Sequence, residues 1–188
     1  MNIPNSLTLL RILLIPVFIV VFYLPFQWHH QIAAFLFTLA AITDLLDGYL
    51  ARKLGQISKL GAFLDPVADK LMVAIALVLL VQEHPSVWLA LPAAVIIGRE
   101  VTVSALREWM AELGARRKVA VSFMGKFKTV IQMIALILLI YHEDIWILPV
   151  YAIGMGSLYV AALLTLWSMV QYLYAAWPEL TDRKNISS

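Results

Sequence analysis

Four aspartates lie within 26 residues of an otherwise apolar chain: Asp44, Asp47, Asp65 and Asp69. Their spacings of three and four residues put each pair on one face of a helix. Carboxylates in an apolar helix are costly, and four so close would repel one another unless cations held them together. Hard divalent cations take oxygen ligands, and two such ions stabilise both the attacking and the leaving oxygen of a phosphoryl displacement. The pattern therefore predicts a metal-binding acidic site that acts on a phosphate group.

Two other interpretations of the acids are open. They could stabilise a helix bundle by pairing with the basic residues beside them, which are Arg52, Lys53, Lys59 and Lys70. Acids within a membrane also mark ion and proton pathways. Against transport, the acids cluster near one end of their predicted helices, and the opposite halves of all the predicted spans lack ionisable residues. The number and spacing of the acids favour the metal site.

The composition is that of a membrane protein. Of 188 residues, 62% are apolar and 14% are charged, against roughly 45–50% and about 25% in soluble domains. The chain has no cysteine, which excludes disulfides and thiolate metal sites. No basic face alternates with stacking aromatics, which argues against nucleic-acid binding. We expect a single membrane domain over residues 1–177 and a short cytoplasmic tail over 178–188.

Apolar stretches predict an all-α integral membrane protein, a bundle of six transmembrane helices. Crossing the hydrocarbon core takes about 20 mainly apolar residues. The six stretches that approach this length are 7–24, 31–54, 62–81, 87–110, 127–141 and 147–174. The linkers between them are short, which predicts a compact bundle of antiparallel neighbours.

The charge distribution predicts the orientation. All fourteen Lys and Arg residues fall on one side, in the linkers 52–60 and 107–126, the termini or the adjoining halves of helices. The linkers on the other side contain none. Both termini are therefore expected to be cytoplasmic. Trp28, Trp88 and Trp146 flank the outer linkers, as an interfacial aromatic belt requires.

On these spans the acids form a cup that opens to the cytoplasm. Asp44 and Asp47 lie in the last turns of the second helix, while Asp65 and Asp69 lie in the first two turns of the third. Pro66 supports that start, because a first turn tolerates proline. Three small residues beside the acids allow a ligand or backbone to approach closely. They are Gly48, Ala51 and Gly61.

The acids belong to a longer pattern, Asp44-x2-Asp47-Gly48-x2-Ala51-Arg52-x8-Gly61-x3-Asp65-x3-Asp69. This pattern resembles the signature of the CDP-alcohol phosphotransferases, and every fixed position is present. Further segments across nearly the whole chain are similar to bacterial members that use glycerol 3-phosphate. They are the opening Asn2-Ile3-Pro4-Asn5-x2-Thr8-x2-Arg11, residues 64–70, Arg99-Glu100, residues 104–109 and Gly125-Lys126-x-Lys128-Thr129.

The resemblance implies a homodimeric enzyme of the bacterial cytoplasmic (inner) membrane. It would transfer a phosphatidyl group from CDP-diacylglycerol to sn-glycerol 3-phosphate, giving phosphatidylglycerophosphate and CMP. The acids matching Asp44, Asp47, Asp65 and Asp69 would bind two divalent ions, Mg²⁺ or Mn²⁺, and the one matching Asp69 would be the base. Gly48, Ala51, Arg52 and Gly61 would line the cytidine diphosphate site. Asn5 and Thr8 would either reach the nucleotide or cap an interfacial helix.

The acceptor's phosphate calls for guanidinium or ammonium groups. The candidates are Arg99, Arg107, Lys126 and Lys128. The two lysines could instead be ordinary flanking charges, and Arg99 could form an internal salt bridge. However, Glu100 points about 100° away on a helix, so the two need not pair. His29, His30, His84 and His142 lie on the side opposite the acids, where we expect interfacial residues rather than ligands.

Two other functions stay open. A sister enzyme of the same family would use another acceptor and make cardiolipin, phosphatidylserine or phosphatidylinositol phosphate. A divalent-metal transporter would use the same acids without chemistry. The four basic candidates favour a phosphate-bearing acceptor.

Overall fold

The computed structural model describes residues 3–54, 59–112 and 123–181. These residues form six helices in chain order. They are α1 (Ile3–Tyr23), α2 (His29–Leu54), α3 (Lys59–Glu83), α4 (Val87–Glu112), α5 (Phe123–Tyr141) and α6 (Val150–Thr181). The described residues contain no β-strand, and an isolated bridge joins Ile145 and Leu148 in the turn before α6. The predicted all-helical fold with six helices is confirmed.

The start of α3 differs from the prediction. The helix begins at Lys59 and runs through Pro66, which is therefore in the helix interior and not in the first turn. The prediction from proline was wrong because helix formation upstream outweighs the local penalty. Proline has no N–H for the carbonyl four residues earlier. The turn that contains Asp65, at residues 62–66, thus has one helical hydrogen bond fewer.

Apolar residues from all six helices form the main core. Phe18 of α1 contacts Phe37 of α2, with ring centroids 6.1 Å apart. Other fully buried members of this cluster are Leu77, Leu80, Leu89, Ile96, Leu136, Leu139, Ile140 and Leu158. The first helix packs against both α2 and α3, and α6 packs against α4 and α5. This packing fixes α1 beside the two helices that carry the acids.

Gly154 allows α6 to lie close to α5. A Cβ atom at this position would lie 3.0 Å from Cγ of Leu139 and 3.2 Å from Cβ of Leu138. Glycine therefore permits an approach that a larger residue would oppose, as is common between helices in membranes.

Three helices are long and apolar enough to cross a membrane, among the residues described. They are Ser6–Tyr23, Val87–Glu112 and Val150–Trp177, and a shorter apolar helix covers Phe127–Tyr141. Large apolar side chains are exposed on these helices, for example Leu13, Val101 and Leu163. Exposed apolar surface of this extent is typical of contact with lipid or a partner.

Candidate active site

Acids from α2 and α3 face a common point, where a guanidinium from α1 lies between them. Nη1 of Arg11 is 3.0 Å from Oδ1 of Asp44 and 2.7 Å from Oδ1 of Asp69. Arg11 is 1% exposed, whereas the two carboxylates are 29% and 35% exposed. The acids therefore line an accessible surface, and their cationic partner lies beneath it.

The third acid has its own partner on α1. Thr8, three residues before Arg11, donates a hydrogen bond from Oγ1 to Oδ1 of Asp65 at 2.5 Å. Because residues three apart share one helix face, Thr8 and Arg11 lie on the same face of α1. The side chains of Thr8 and Arg11 are both buried. One face of α1 thus holds acids from the third helix and the second.

Arg11 was missed as a site residue, although its sequence context carried a signal. It is the single charged residue of α1. A charge buried in an apolar helix is stable only if it is paired. The nearest group of acidic residues in the sequence is the set of four aspartates. These are therefore the partners that the sequence indicates for Arg11.

The acids fit a divalent metal. Two carboxylate oxygens already converge on one cationic nitrogen, so the geometry favours positive charge at this point. Carboxylate oxygens are the ligands that Mg²⁺ and Mn²⁺ prefer. A divalent ion bound here would lie beside Arg11 or require it to move. Of the acids whose side chains the structure describes, Asp44, Asp65 and Asp69 could hold such an ion.

For several predicted site residues the structure describes the backbone but not the side chain. The backbones of these residues are helical. These residues are Asn5 in α1, Asp47, Gly48, Ala51 and Arg52 in α2, and Lys126 in α5. Gly61 is described and is buried in the first turn of α3. The predicted roles of these residues stay predictions: metal binding for Asp47, acceptor binding for Lys126 and nucleotide binding for the others.

Two of the predicted acceptor residues share a carboxylate. Arg99 donates from Nη1 to Oε1 of Glu100 at 2.8 Å, and Nζ of Lys128 is 3.5 Å from the same oxygen. The expectation that Arg99 and Glu100 need not pair was wrong. The angle between neighbouring residues on a helix describes Cβ directions, and both side chains are long enough to bend toward each other.

The rest of the Arg99 side chain is enclosed by α6. Nη2 donates to Oγ of Ser168 at 3.0 Å, and the guanidinium carbon lies 5.6 Å from the centroid of the Tyr172 ring. Nε of Arg99 is buried and has no hydrogen-bond partner among the residues that the structure describes. Arg99 is therefore a fixed, buried cation whose carboxylate partner, Glu100, is half-buried.

A polar cavity of about 230 Å³ is lined by two of the acids and one of the basic candidates. It lies between α2, α3, α4 and α5. Its charged lining residues are Asp44, Asp69, Lys70, Glu100 and Arg107, and Thr129 and Gln132 add polar groups. Arg107 is exposed and free to reach into this space. The structure thus brings two of the metal candidates, Asp44 and Asp69, and one acceptor candidate, Arg107, into one polar pocket.

A second cavity, of about 350 Å³, lies between α3 and α4. It shares Lys70, Val73 and Glu100 with the polar cavity, and its remaining walls are mainly apolar. A ligand with a charged head and an apolar chain would find both environments side by side.

All four histidines meet at the opposite end of the bundle. Nε2 of His30 is 3.3 Å from Oε1 of Glu83, and Nε2 of His84 is 3.3 Å from Nε2 of His142. The rings of His29 and His30 have centroids 4.0 Å apart. The prediction placed these residues away from the acids but did not anticipate that they form one cluster.

Burial shapes the charge of this histidine cluster. Burial lowers the pKa of His30, although Glu83 opposes the shift. Burial also lowers the pKa of His142, and the adjacent His84 adds to the effect. Desolvation disfavours an imidazolium. These two rings are therefore neutral over more of the physiological pH range than free histidine.

The fold and site define an all-helical protein with membrane-length helices and a carboxylate pocket suited to metal-assisted phosphate chemistry. The sequence profile of the CDP-alcohol phosphatidyltransferases matches residues 1–169. The chain belongs to this family.

Curated relatives are similar over their whole length. A protein of Pseudomonas fluorescens is 59% identical over 99% of this chain and 96% of its own. A protein of Salmonella typhimurium is 57% identical over 97% of this chain and 98% of its own, and one of Shigella flexneri is 55% identical over the same shares. Each of the three is named CDP-diacylglycerol--glycerol-3-phosphate 3-phosphatidyltransferase.

Proposed function

We propose that this protein transfers a phosphatidyl group from CDP-diacylglycerol to sn-glycerol 3-phosphate. The products are phosphatidylglycerophosphate and CMP, which makes it an enzyme of phospholipid biosynthesis. Its family and the names of its curated relatives support this reaction. The structural observation that carries the proposal is a polar cavity lined by both Asp69 and Arg107. Such a cavity suits a reaction between a metal-bound diphosphate and an anionic acceptor.

The reaction is a displacement at the phosphorus that bears the diacylglycerol. The acceptor's hydroxyl oxygen bonds to this phosphorus, and the bond from phosphorus to the CMP oxygen breaks. We assign Asp69 as the base that takes the hydroxyl proton, which requires its carboxylate to lie within hydrogen-bond reach of the acceptor. Its place in the cavity and its exposure support this role.

We propose that Asp44, Asp47, Asp65 and Asp69 hold two divalent ions, Mg²⁺ or Mn²⁺. When bound, these ions supply positive charge to the diphosphate and to the departing CMP. Arg11 holds Asp44 and Asp69 in place from below, and Thr8 orients Asp65. Positioning of this kind supplies part of the rate because the reacting groups need not be ordered again in the transition state. Gly48, Ala51, Arg52, Gly61 and Asn5 are proposed to contact the cytidine diphosphate, as the family resemblance implies.

The acceptor's phosphate is proposed to bind at the basic wall of the polar cavity. Arg107 lines the cavity and is exposed, which suits direct contact with an anion. Arg99 and Lys128 already hold the carboxylate of Glu100. A phosphate bound beside Glu100 would therefore be near both cations, Arg99 and Lys128. Together these carry two positive charges against the one negative charge of Glu100. Lys126 is proposed to join this set.

We propose that the protein spans the bacterial cytoplasmic membrane six times, with both termini and the active site at the cytoplasmic side. The one-sided distribution of Lys and Arg supports this orientation. Trp28, Trp88 and Trp146 are all exposed at the end of the bundle opposite the acids, where an aromatic belt would lie. The family resemblance supports a homodimer.

A comparison of acceptors tests the reaction. Purified protein is incubated with CDP-diacylglycerol and Mg²⁺, and CMP release is measured with glycerol 3-phosphate, serine, inositol phosphate or phosphatidylglycerol. The proposal predicts release with glycerol 3-phosphate and little with the others. Preferred use of another acceptor would assign the chain to a sister activity. Metal uptake into vesicles without CMP release would favour a transporter.

A further inference from the structure

The cluster of histidines at the end of the bundle opposite the acids has the composition of a transition-metal site. Fourteen residues of α2 separate His30 from Asp44, which is about 21 Å at 1.5 Å per residue. The cluster therefore lies too far from the aspartates to share an ion with them. It takes residues from three segments that are distant in the sequence: the start of α2, the end of α3 and the turn after α5.

Three side chains of the cluster offer ligand atoms close together. One nitrogen each from His29 and His30 and one carboxylate oxygen from Glu83 lie within 4.8 Å of one another. Atoms bound to one zinc ion are at most about 4 Å apart, since each lies about 2.1 Å from the metal. Side-chain movements of about 1 Å would therefore complete the arrangement.

The partners of His29 prepare it as a ligand. Its Nδ1 lies 2.6 Å from the carbonyl oxygen of Phe26. Since a carbonyl only accepts, Nδ1 carries the proton and Nε2 carries the lone pair. Histidines that bind metals commonly donate their other ring nitrogen to a carbonyl or carboxylate in this way, which fixes the tautomer and the ring orientation.

The cluster also contains unused nitrogen atoms. Nδ1 of His30, of His84 and of His142 is buried without a hydrogen-bond partner in the described part of the chain. Buried polar atoms are nearly always satisfied in native proteins, and a bound ion is one established explanation for those without a protein partner. Nδ1 of His84 also lies 3.8 Å from Oε2 of Glu83, the second oxygen of the same carboxylate.

From this geometry we infer that His29, His30 and Glu83 bind one transition-metal ion of the zinc class, at a site separate from the acidic one. Two imidazoles and one carboxylate are a common zinc ligand set, and a water or His84 would complete the coordination. Mg²⁺ is a poor occupant because it prefers oxygen ligands. The ion would link the first turn of α2 to the last turn of α3, beside the hydrogen bond between Tyr23 and Gln82.

Zinc content measured in an excess of Mg²⁺ tests the inference. The full chain is purified without a histidine tag, dialysed against buffered zinc and millimolar Mg²⁺, and its metal content is determined by mass spectrometry. Excess Mg²⁺ competes with zinc at the carboxylate site, so the difference in zinc content between the wild type and the variants reports on the histidines. The wild type should retain one more zinc ion per chain than either His29→Ala or Glu83→Gln. Glu143→Gln, which removes a nearby exposed acid outside the proposed ligand set, should retain as much zinc as the wild type.

Thermal unfolding provides the second measurement. Zinc should raise the unfolding temperature of the wild type and of Glu143→Gln, and it should leave that of His29→Ala unchanged, because binding to the folded state alone stabilises it. Circular dichroism identifies folded samples, and if Glu83→Gln does not fold, the comparison with His29→Ala decides. Equal zinc content in wild type and His29→Ala would overturn the assignment, as would a wild type that binds no zinc in the presence of Mg²⁺.

Discussion

Replacing Arg11 with methionine should make the stability of this protein depend on divalent metal. The substitution keeps a long apolar stem but removes the guanidinium that contacts Asp44 and Asp69 at 3.0 and 2.7 Å. The two carboxylates would then face each other without this guanidinium between them. If the site binds divalent ions, Mg²⁺ can replace the lost positive charge.

The size of the effect follows from burial. Breaking a buried ion pair by removing one partner costs about 3–5 kcal/mol. Arg11 is 1% exposed, but the two acids are 29% and 35% exposed, so water screens part of their repulsion. We therefore expect about 3 kcal/mol, at the lower end of that range. In a chain of this length such a loss lowers the unfolding temperature by about 6–12 °C.

The assay is thermal unfolding of the purified protein in detergent, with EDTA or with excess Mg²⁺. Arg11→Met should unfold well below the wild type in EDTA, and Mg²⁺ should recover a large part of the difference. Arg11→Lys serves as the control that keeps the charge, and its dependence on Mg²⁺ should be smaller. The reasoning is refuted if Arg11→Met has the same deficit in EDTA and in Mg²⁺, or no deficit in either.

Three further predictions concern turnover. Asp69→Asn should abolish CMP release while CDP-diacylglycerol still binds in a direct binding assay, and near-normal release would remove Asp69 as the base. Arg99→Ala and Arg107→Ala should each raise the KM for glycerol 3-phosphate sharply and change the KM for CDP-diacylglycerol little. An unchanged KM for glycerol 3-phosphate would show that the replaced arginine does not bind the acceptor. Thr8→Val should lower kcat by about tenfold to a hundredfold, because loss of one hydrogen bond to a charged group costs about 1.5–3 kcal/mol, and an unaltered kcat would show that Asp65 needs no such support.

The acidic motif could be located from the sequence because it depends on local periodicity. Spacings of three and four residues place Asp44 with Asp47 and Asp65 with Asp69 whatever the rest of the chain does. The six helices follow from equally local apolar runs. The start of α3 could not be found in this way, because Pro66 was given more weight than the helix-forming residues before it.

Contacts between distant segments could not be predicted from one sequence. The pairing of Arg11 with Asp69 spans 58 residues, and it depends on how α1 packs against α3. The same holds for His84 and His142, which come together only when α3 and α5 end at one level. The prediction for Arg99 and Glu100 was wrong for a different reason. Helix geometry gives the direction of each Cα–Cβ bond but not the position of the charged group at the end of a long side chain.

The Mg²⁺ dependence of phosphatidylglycerophosphate formation tests the central claim, that the acids of α2 and α3 hold the metal for phosphatidyl transfer. The wild type and Asp44→Asn are stripped with EDTA and then titrated with Mg²⁺ in the presence of CDP-diacylglycerol and glycerol 3-phosphate. The account predicts no product from either protein in EDTA, saturable product formation by the wild type, and a much higher Mg²⁺ requirement for Asp44→Asn. Product formation in EDTA, or identical titration curves for the two proteins, would contradict it.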